Sequence, residues 1–304
     1  MTQLPQSVVF ELTYACNHAC PFCSCPWEAE GAERGKELSI EAWKKAALEF
    51  IGHGVRNIIL SGGEPLLKEG IVDLLGFLAF QLRAAYGTHY DLQLSTNGTL
   101  LTREMLHLLK DCNATLCTSL PSIFDFKGQT GTGQDFRAVL KHVYAASELG
   151  IRSTVGIPLT KTVLPELYEM ISYALLSGTD TVLLNPFRPS GRGASHPEYL
   201  LTPEDIHSAL NTAEAVFHAC KGKVRIGGEY PPGIVDPAQY PDLILSTDCP
   251  AAKGIFTVSP DGMIRLCEHD PRQICRWDEW KALEQIPVWR EMITGKHPVC
   301  PLFS

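Results

Sequence analysis

The alternation of strand-like and helix-like stretches through residues 8–220 constrains the fold of this chain more than any other feature of its sequence. Apolar runs with the length and composition of buried strands occupy residues 8–13, 57–61, 91–95, 115–120, 152–157 and 181–187. Amphipathic stretches that predict helices occupy residues 39–51, 71–86, 102–110, 135–149, 164–177 and 202–220. Six such units predict an α/β fold with a parallel sheet and right-handed crossovers, either open or closed into a partial barrel.

The point where this alternation stops divides the chain. Ser39 and Thr202 are predicted helix N-caps, and the regular pattern ends after residue 220. Prolines at positions 231, 232 and 237 then predict a linker, and residues from about 245 onward predict a small irregular module that carries cysteines. The predicted domains are residues 1–225 for the sheet domain and residues 226–304 for the linker and module.

Charge and composition exclude several classes of function. The net charge of −8 disfavours nucleic acid, whose phosphates would be repelled by such a surface. No apolar run approaches the ~18 residues of a membrane span, and the N-terminus lacks the basic segment of a signal peptide. We therefore expect a cytoplasmic protein with no membrane or nucleic-acid partner. Disulfides rarely persist in the cytoplasm, so metal binding is the leading explanation for the clustered members of its 11 cysteines.

Three cysteines, Cys16, Cys20 and Cys23, follow the first predicted strand in a compact loop. Thiolates suit an iron–sulfur cluster or zinc. A structural zinc site would usually pair two Cys-x2-Cys knuckles, and the partner knuckle is absent from the sequence, while Cys25 as a fourth ligand would be strained beside Pro26. A cluster with three protein ligands leaves one iron open, and that iron can chelate the amino and carboxylate groups of S-adenosylmethionine (SAM).

The Cys-x3-Cys-x2-Cys loop resembles that of the radical SAM superfamily, with the aromatic Phe22 before its last cysteine. Two further motifs match in chain order, Ser61-Gly62-Gly63-Glu64-Pro65 after the second strand and Ser95-Thr96-Asn97-Gly98 after the third. The resemblance covers about residues 8–220. It implies a partial (β/α)6 barrel of the TIM type, a [4Fe–4S] cluster that binds SAM, and an electron donor such as flavodoxin or ferredoxin.

The same resemblance implies which residues bind the cofactor. The glycine-rich segment and Glu64 would hydrogen-bond the SAM amino group, and the polar residues after the third strand would lie at the ribose. Ser119, at the end of the fourth strand, is a candidate for contact with the SAM carboxylate, with a capping or turn role as the alternative. The implied cofactor-binding residues are Phe22, Gly62, Gly63, Glu64, Pro65, Ser95, Asn97 and Ser119.

The C-terminal cysteines follow a second pattern. Residues 256–267 read as a hairpin with Pro260-Asp261-Gly262 as its turn. With Cys249 and Cys267 at its two sides, this segment resembles the SPASM or twitch module of many radical SAM enzymes, which implies an auxiliary [4Fe–4S] cluster. The later Cys-x2-Cys pair of that module is missing.

Two interpretations of these cysteines stay open. In one, a single auxiliary cluster is ligated by Cys249, Cys267, Cys275 and Cys300. In the other, Cys249 is a free thiol that faces the substrate, and a non-cysteine group or an open site completes the cluster. We favour the second interpretation.

The acidic tail and the cysteine layout favour one substrate class. Residues 226–280 carry nine acidic side chains against four basic ones, which predicts either a solvated acidic surface or the entrance to a site that attracts a cationic substrate.

Only seven residues precede the first predicted strand, so we expect no domain that binds a leader peptide. The compact chain and Cys249 resemble the radical SAM epimerases of aminoglycoside biosynthesis. The resemblance implies that a sugar carbon loses a hydrogen atom and that Cys249 returns one to the opposite face.

Two other functions are compatible with the sequence. One is a relative that modifies a ribosomal peptide or dehydrogenates a small alcohol. The other, from a different class, is a non-catalytic iron–sulfur protein, for which the motifs that match SAM-binding segments would have no purpose.

Overall fold

Strand β1 (Ser7–Glu11) is paired on both sides within one long sheet. The computed structural model describes residues 4–230 and 233–295. The other strands within these ranges are β2 (Asn57–Ser61), β3 (Asp91–Thr96), β4 (Thr115–Ser119), β5 (Ser153–Leu159), β6 (Thr181–Pro186), β7 (Ile226–Glu229), β8 (Ile244–Ser246), β9 (Ile255–Val258), β10 (Met263–Arg265) and β11 (Cys275–Arg276). Their order in the sheet is β11-β10-β9-β1-β2-β3-β4-β5-β6-β7-β8. Strands β1 to β8 are parallel, β9 is parallel to β1, and β10 and β11 add antiparallel pairs at one edge.

Helices connect the parallel strands, as the alternation predicted. They are α1 (Ile40–Ile51), α2 (Ile71–Tyr86), α3 (Arg103–Asp111), α4 (Phe126–Thr130), α5 (Phe136–Glu148), α6 (Leu167–Leu176), α7 (Pro203–Ala219) and α8 (Pro287–Ile293). The six predicted β-α units are confirmed, and the sheet has the arrangement of a partial TIM-type barrel. Helix α4 was not predicted because five residues are too short to show a helical period. Among the residues described, no helix has the length and hydrophobicity that a membrane crossing needs.

Short 3-10 turns and the predicted caps complete the local structure. The Ser39 hydroxyl accepts a hydrogen bond from the Ala42 N–H at 3.2 Å, which confirms the N-cap of α1. Thr202 and Asp205 form a reciprocal capping box that confirms the start of α7. The 3-10 segments are Pro26–Glu28, Pro65–Leu67, Leu164–Glu166, Gly191–Ser195, Pro197–Tyr199, Pro237–Gln239 and Trp277–Gln285.

The segment that the prolines predicted to be a linker contains two further strands. Strands β7 and β8 extend the parallel sheet beyond β6, so the linker interpretation does not hold for them. A Cβ atom on Gly227 would lie 2.2 Å from the Ile244 carbonyl oxygen, and one on Gly228 would lie 2.3 Å from that of Leu184. The two glycines therefore let three backbones approach closely. The same lack of side chains removes the hydrophobic pattern that would have predicted β7.

The C-terminal part of the chain shares a hydrophobic core with the N-terminal half. Phe256 on β9 contacts Phe50 of α1 at a ring-centroid distance of 5.2 Å and Trp289 of α8 at 6.3 Å. All three rings are buried in one cluster. The predicted hairpin is confirmed as β9 and β10, with Gly262 in the left-handed region at φ +86°. The described part of the predicted module is thus continuous with the sheet.

A buried ion pair joins the ends of β1 and β10. Arg265 donates to the carboxylate of Glu11, and the two side chains are 2% and 3% exposed. Arg265 also donates to the carbonyl oxygens of Asp270 at 3.1 Å and Glu268 at 3.3 Å, and its guanidinium lies 5.6 Å from the Trp27 ring centroid. Burial raises the pKa of Glu11, and the charge of Arg265 and its hydrogen bond oppose that shift. The pair fixes the strand that leads into the cysteine loop.

Replacing Arg265 with methionine should lower the free energy of unfolding by about 3–5 kcal/mol, because Glu11 would lose its buried partner. Chemical denaturation of the metal-free protein measures this change. The double variant Glu11→Leu/Arg265→Met should be more stable than Arg265→Met, since it leaves no unpaired charge.

The exposed pair of Arg137 and Asp135 provides the control. Their side chains are 73% and 54% exposed, so Arg137→Met should change the free energy of unfolding by less than about 1 kcal/mol. An equal effect of Arg137→Met and Arg265→Met would contradict the importance of the buried pair.

Candidate active site

The first cysteine loop opens on a cavity of about 390 Å³, which we call the cysteine cavity. It lies where the motifs after β2 and β3 meet the loop after β1. Its walls include Cys16, Cys20, Cys23, Phe22, Gly62, Gly63, Ser95, Asn97 and Ser119. The structure thus brings the predicted cluster ligands together with all of the predicted cofactor-binding residues except Glu64 and Pro65.

Two glycines at the end of β2 determine where the cysteine loop begins. The Gly63 N–H donates to the Thr13 carbonyl oxygen, and the Glu64 N–H donates to that of Ala15, both at 2.8 Å. A Cβ atom on Gly63 would lie 2.3 Å from the Ala15 oxygen. One on Gly62, where φ is +142°, would lie 2.9 Å from the Thr13 oxygen. Only glycine permits this close approach.

Glu64 is fully buried behind the cavity wall, next to the buried Pro65. Its carboxylate accepts hydrogen bonds from the Leu66 N–H at 3.0 Å, the Thr96 hydroxyl at 2.7 Å and the Asn97 N–H at 2.8 Å. Burial raises the pKa of this carboxyl, and the three donors oppose the shift. Glu64 therefore ties the β2 turn to the end of β3. Its direct contact with the SAM amino group, which the resemblance implied, stays a prediction.

Asn97 connects the end of β3 to the cysteine loop. Its side-chain amide donates to Asn17 Oδ1 at 2.7 Å, and the Asn17 amide in turn donates to the Thr99 hydroxyl at 3.0 Å. Asn97 was predicted to lie at the ribose, and the structure places it on the cavity wall with a bond to the loop that carries the cysteines.

The three thiols of the loop fit the ligands of an iron–sulfur cluster. Burial raises the pKa of Cys16 and raises that of Cys20 to about 12, whereas a hydrogen bond from Cys25 lowers the pKa of Cys23. Metal binding to these thiols therefore releases protons. In the part of the chain described, no three His, Cys, Asp or Glu side chains converge on a single-ion site. A cuboidal cluster spreads its thiolates over several corners and does not require that convergence.

A second cavity, of about 430 Å³, contains Cys249 and is called the inner cavity. Its volume is within the range of about 300–1,000 Å³ that is typical of small-molecule sites. Cys117 and Cys267 also line it. The two cavities meet along eight residues, the shared wall, which are Ser95, Ser119, Gly156, Asn185, Arg188, Glu229, Glu268 and His269.

The shared wall is acidic. Burial raises the pKa of Glu229, and the charge of Arg188 opposes that shift. The Glu268 side chain is 49% exposed, so its carboxylate remains open to a ligand in the cavities. Burial lowers the pKa of His269 to about 3, which keeps its imidazole neutral at physiological pH. The wall can therefore attract a cation.

Three of the cysteines considered for an auxiliary cluster, Cys249, Cys267 and Cys275, pack against the same hydrophobic cluster. Cys267 lines the inner cavity with Cys249, and burial raises its pKa to about 12. Cys275 lies opposite the core residue Ile264, and directly opposed residues of an antiparallel pair point to the same side, so Cys275 points toward that cluster. Cys300 lies outside the described residues.

One buried hydroxyl that lacks a hydrogen-bond partner among the described residues would fit an auxiliary cluster at Cys267. The hydroxyl of Thr257 is buried on the wall of the inner cavity and has no hydrogen-bond partner among the described residues. A donor of this kind suits the sulfur atoms of a cluster.

Two residues of the site were missed by the sequence analysis. Asn185, at the end of β6, lies over Gly156, where a Cβ atom would be only 3.1 Å from the Asn185 amide nitrogen. Arg192 donates to the Cys20 carbonyl oxygen at 2.8 Å. Asn185 could have been found from the sequence because it is a polar residue inside an apolar strand. Arg192 could have been found because a Gly-Arg-Gly sequence follows that strand.

Comparisons with known proteins found a matching family, similar sequences and a similar fold. The family described as "Radical SAM superfamily" matches residues 10–174. PqqA peptide cyclase of Rhodopseudomonas palustris is 28% identical over 275 residues, which cover 87% of this chain and 67% of that protein. GTP 3′,8-cyclase of Pseudomonas putida is 36% identical over 145 residues, 47% of this chain and 41% of that protein.

A solved structure shows the same fold. Streptococcus suis SuiB bound to precursor peptide SuiA has a TM-score of 0.78 at 15% sequence identity. The match covers 96% of this chain and 67% of that chain, so this chain spans about two thirds of SuiB.

Gly63→Ala should destabilise the protein by about 1–3 kcal/mol and lower the iron bound per chain after reconstitution, because the added Cβ would displace the cysteine loop. Denaturation of the metal-free protein and iron analysis measure the two effects.

Gly76 in α2 is the matched control, since a Cβ there would meet no atom within 4 Å. Gly76→Ala should keep the iron content and stabilise the helix by about 0.5–1 kcal/mol. Normal iron binding by Gly63→Ala would contradict the role of the turn.

Proposed function

The chain belongs to the radical SAM superfamily, and we propose that it is an epimerase that inverts one carbon of an aminoglycoside sugar. The coarser activity follows from the family, so the protein is a radical SAM enzyme whose cofactors are a [4Fe–4S] cluster and SAM. When bound, these cofactors supply one-electron chemistry that removes a hydrogen atom from an unactivated carbon. The residues of the chain determine what then happens to the substrate.

Cofactor binding is assigned to the walls of the cysteine cavity. Cys16, Cys20 and Cys23 would hold the cluster through their thiolates. The residues that would contact SAM are Phe22, Gly62, Gly63, Ser95, Asn97 and Ser119, with Glu64 and Pro65 fixing the turn behind them. For an auxiliary [4Fe–4S] cluster the proposed ligands are Cys267, Cys275 and Cys300, of which Cys267 and Cys275 pack against the same hydrophobic cluster.

The position of Cys249 is the observation that carries the proposal. Cys249 lines the inner cavity, which meets the cysteine cavity along the shared wall. A substrate in the inner cavity would contact both that wall and Cys249. The substrate carbon would lose its hydrogen atom on the face turned toward the shared wall. A new hydrogen atom from Cys249 on the opposite face would then invert the carbon.

Cys249 acts in this scheme as a hydrogen-atom donor. Its S–H bond breaks as the new C–H bond of the product forms, and a sulfur-centred radical remains on Cys249. One electron and one proton regenerate the thiol. The electron comes from an external donor such as flavodoxin or ferredoxin.

The acidic residues favour a substrate with several amines. Glu229 and Glu268 lie on the shared wall, and each contact with a protonated amine would contribute about 1 kcal/mol at such a partly exposed site. Asp270 also lines the inner cavity but is paired with Arg272 at 2.6 Å, and Arg188 offsets part of the negative charge. The two glutamates are therefore the main candidates for binding amines.

The specific reaction we propose is the conversion of neomycin C to neomycin B by inversion of carbon 5 of its terminal diaminosugar. The layout of the cysteines supports this choice, because the chain resembles neomycin C epimerase in having the Cys16, Cys20 and Cys23 loop and one thiol at Cys249.

A second candidate function is modification of a ribosomal peptide, which the comparisons favour more directly. PqqA peptide cyclase is 28% identical over 87% of this chain, and SuiB shares the fold while bound to a precursor peptide. The similar GTP 3′,8-cyclase is named for a nucleotide instead, so the relatives of this chain are named for different substrates.

In deuterated buffer the wild type should place one deuterium at the inverted carbon, because the Cys249 thiol exchanges its hydrogen with the solvent. Cys249→Ala should invert the substrate at least about 100-fold more slowly, because it removes the S–H bond that supplies the hydrogen atom, while it still forms 5′-deoxyadenosine; loss of a proton-transferring side chain has an effect of about this size. Mass spectrometry and NMR of the product measure both effects.

Cys220→Ala is the control, since Cys220 packs against the core at the end of α7. It should invert the substrate at the wild-type rate. Unchanged inversion by Cys249→Ala with normal iron content would exclude Cys249 as the donor, and loss of deuterium in Cys117→Ala instead would assign that role to the other thiol.

The substrate class can be tested by anaerobic incubation with SAM, a reductant and either neomycin C or the peptides PqqA and SuiA. Neomycin C should give a product of unchanged mass and 5′-deoxyadenosine, because epimerisation adds and removes one hydrogen atom. A peptide that loses two hydrogen atoms, with no reaction of neomycin C, would replace the epimerase proposal with the second candidate.

A further inference from the structure

The residues that follow β6 pack directly on the cysteine loop. We call residues 190–193 the bridge segment. Nη1 of Arg192 donates to the Cys20 carbonyl oxygen at 2.8 Å, and the same guanidinium forms an ion pair with Glu28. The Gly193 N–H donates to the Cys23 carbonyl oxygen at 3.0 Å. Two of the three cluster-binding cysteines thus have their backbones bonded to this segment.

Gly191 allows this contact. Its φ is +57°, in the left-handed region, and a Cβ atom on it would lie 2.2 Å from the Cys25 carbonyl oxygen and 2.8 Å from that of Cys23. A side chain at this position would push the bridge segment away from the loop. The Gly-Arg-Gly sequence is therefore matched to the cysteine loop in both backbone shape and hydrogen bonding.

The bridge segment also contacts the C-terminal part of the site. The Ser190 hydroxyl donates to the His269 carbonyl oxygen at 2.8 Å, and His269 belongs to the shared wall. One stretch of four residues therefore touches the cysteine loop on one side and the shared wall on the other.

We propose that Arg192 is a positioning residue that holds the cysteine loop in its ligand geometry and raises the reduction potential of the cluster. Its guanidinium bonds to the loop backbone at Cys20, and its side chain is only 30% exposed. Its ion-pair partner Glu28 is shared with Arg34, so that one carboxylate offsets only part of the positive charge. A fixed positive charge beside a cluster favours the reduced form, which carries one more negative charge. This inference goes beyond the proposed epimerase and needs only the cluster that the family shares.

Arg34 is a matched control within the chain. It also pairs with Glu28, at 2.6 Å, and its side chain is 47% exposed. Its described hydrogen bond goes to that carboxylate, whereas Arg192 reaches the Cys20 carbonyl as well. Comparing the two arginines separates the effect of the contact with the loop from the effect of losing one cation beside Glu28.

The test reconstitutes the wild type, Arg192→Gln, Arg192→Lys and Arg34→Gln with iron and sulfide. Arg192→Gln should retain iron about 10–100-fold less well against a chelator, the loss expected for a partner of a metal ligand. Its reduction potential, followed by electron paramagnetic resonance during a redox titration, should become more negative. Arg192→Lys should keep the potential near that of the wild type but lose iron, because an ammonium lacks the fork that spans two acceptors.

Arg34→Gln should match the wild type in both measurements. The proposal is overturned if Arg192→Gln and Arg34→Gln have the same potential and iron retention. If Arg192→Gln does not yield folded protein, Arg192→Lys decides, and wild-type iron retention in that variant overturns the proposal. None of these results depends on the substrate, so failure of the epimerase assay leaves this test unaffected.

Discussion

The buried ion pair between Glu11 and Arg265 is the contact on which the rest of the site depends. Two opposite charges with almost no exposure to water have given up their hydration and must remain paired. The pair holds the end of β1, where the cysteine loop begins, against the end of β10, which leads to Cys267. Because Arg265 also bonds to the backbone of Glu268 and Asp270, one guanidinium shapes both the loop and the acidic part of the shared wall.

The chain uses the sequence Gly-Gly-Glu twice, at residues 62–64 and 227–229, with different results. In both places the glycines let backbones approach more closely than a Cβ would allow. The carboxylate of Glu64 meets three hydrogen-bond donors of the protein and is fully buried, so it stabilises a turn. Glu229 instead opens on two cavities beside Arg188 and can meet a ligand. Whether the glutamate of a Gly-Gly-Glu sequence stabilises a turn or faces a ligand therefore depends on the hydrogen-bond donors around its carboxylate and not on the motif itself.

The sequence could predict those features of the structure that leave a pattern in residue types, and it could not predict those that depend on the surrounding fold. Buried parallel strands and amphipathic helices leave hydrophobic periods, so the six β-α units could be predicted, and the spacing of three cysteines indicated a cluster. Strand β7 could not be predicted, because two of its four residues have no side chain. The contact of Arg192 with the Cys20 backbone spans 172 positions, and a bond to a carbonyl leaves no pattern in residue types. The orientation of Cys275 toward the core depends on strand register, which its spacing in the sequence does not reveal.

The pairing of β1 with β9 has a consequence for the order of events during synthesis. Ser7 lies opposite Ile255, so one edge of β1 remains open until most of the described chain has left the ribosome. Contacts between such distant residues form late because the chain must first lose much conformational entropy. An open strand edge can pair with other chains in the meantime. The strand that leads into the cysteine loop thus gains its second neighbour only after β9 has been made, and until then the formation of the site competes with aggregation.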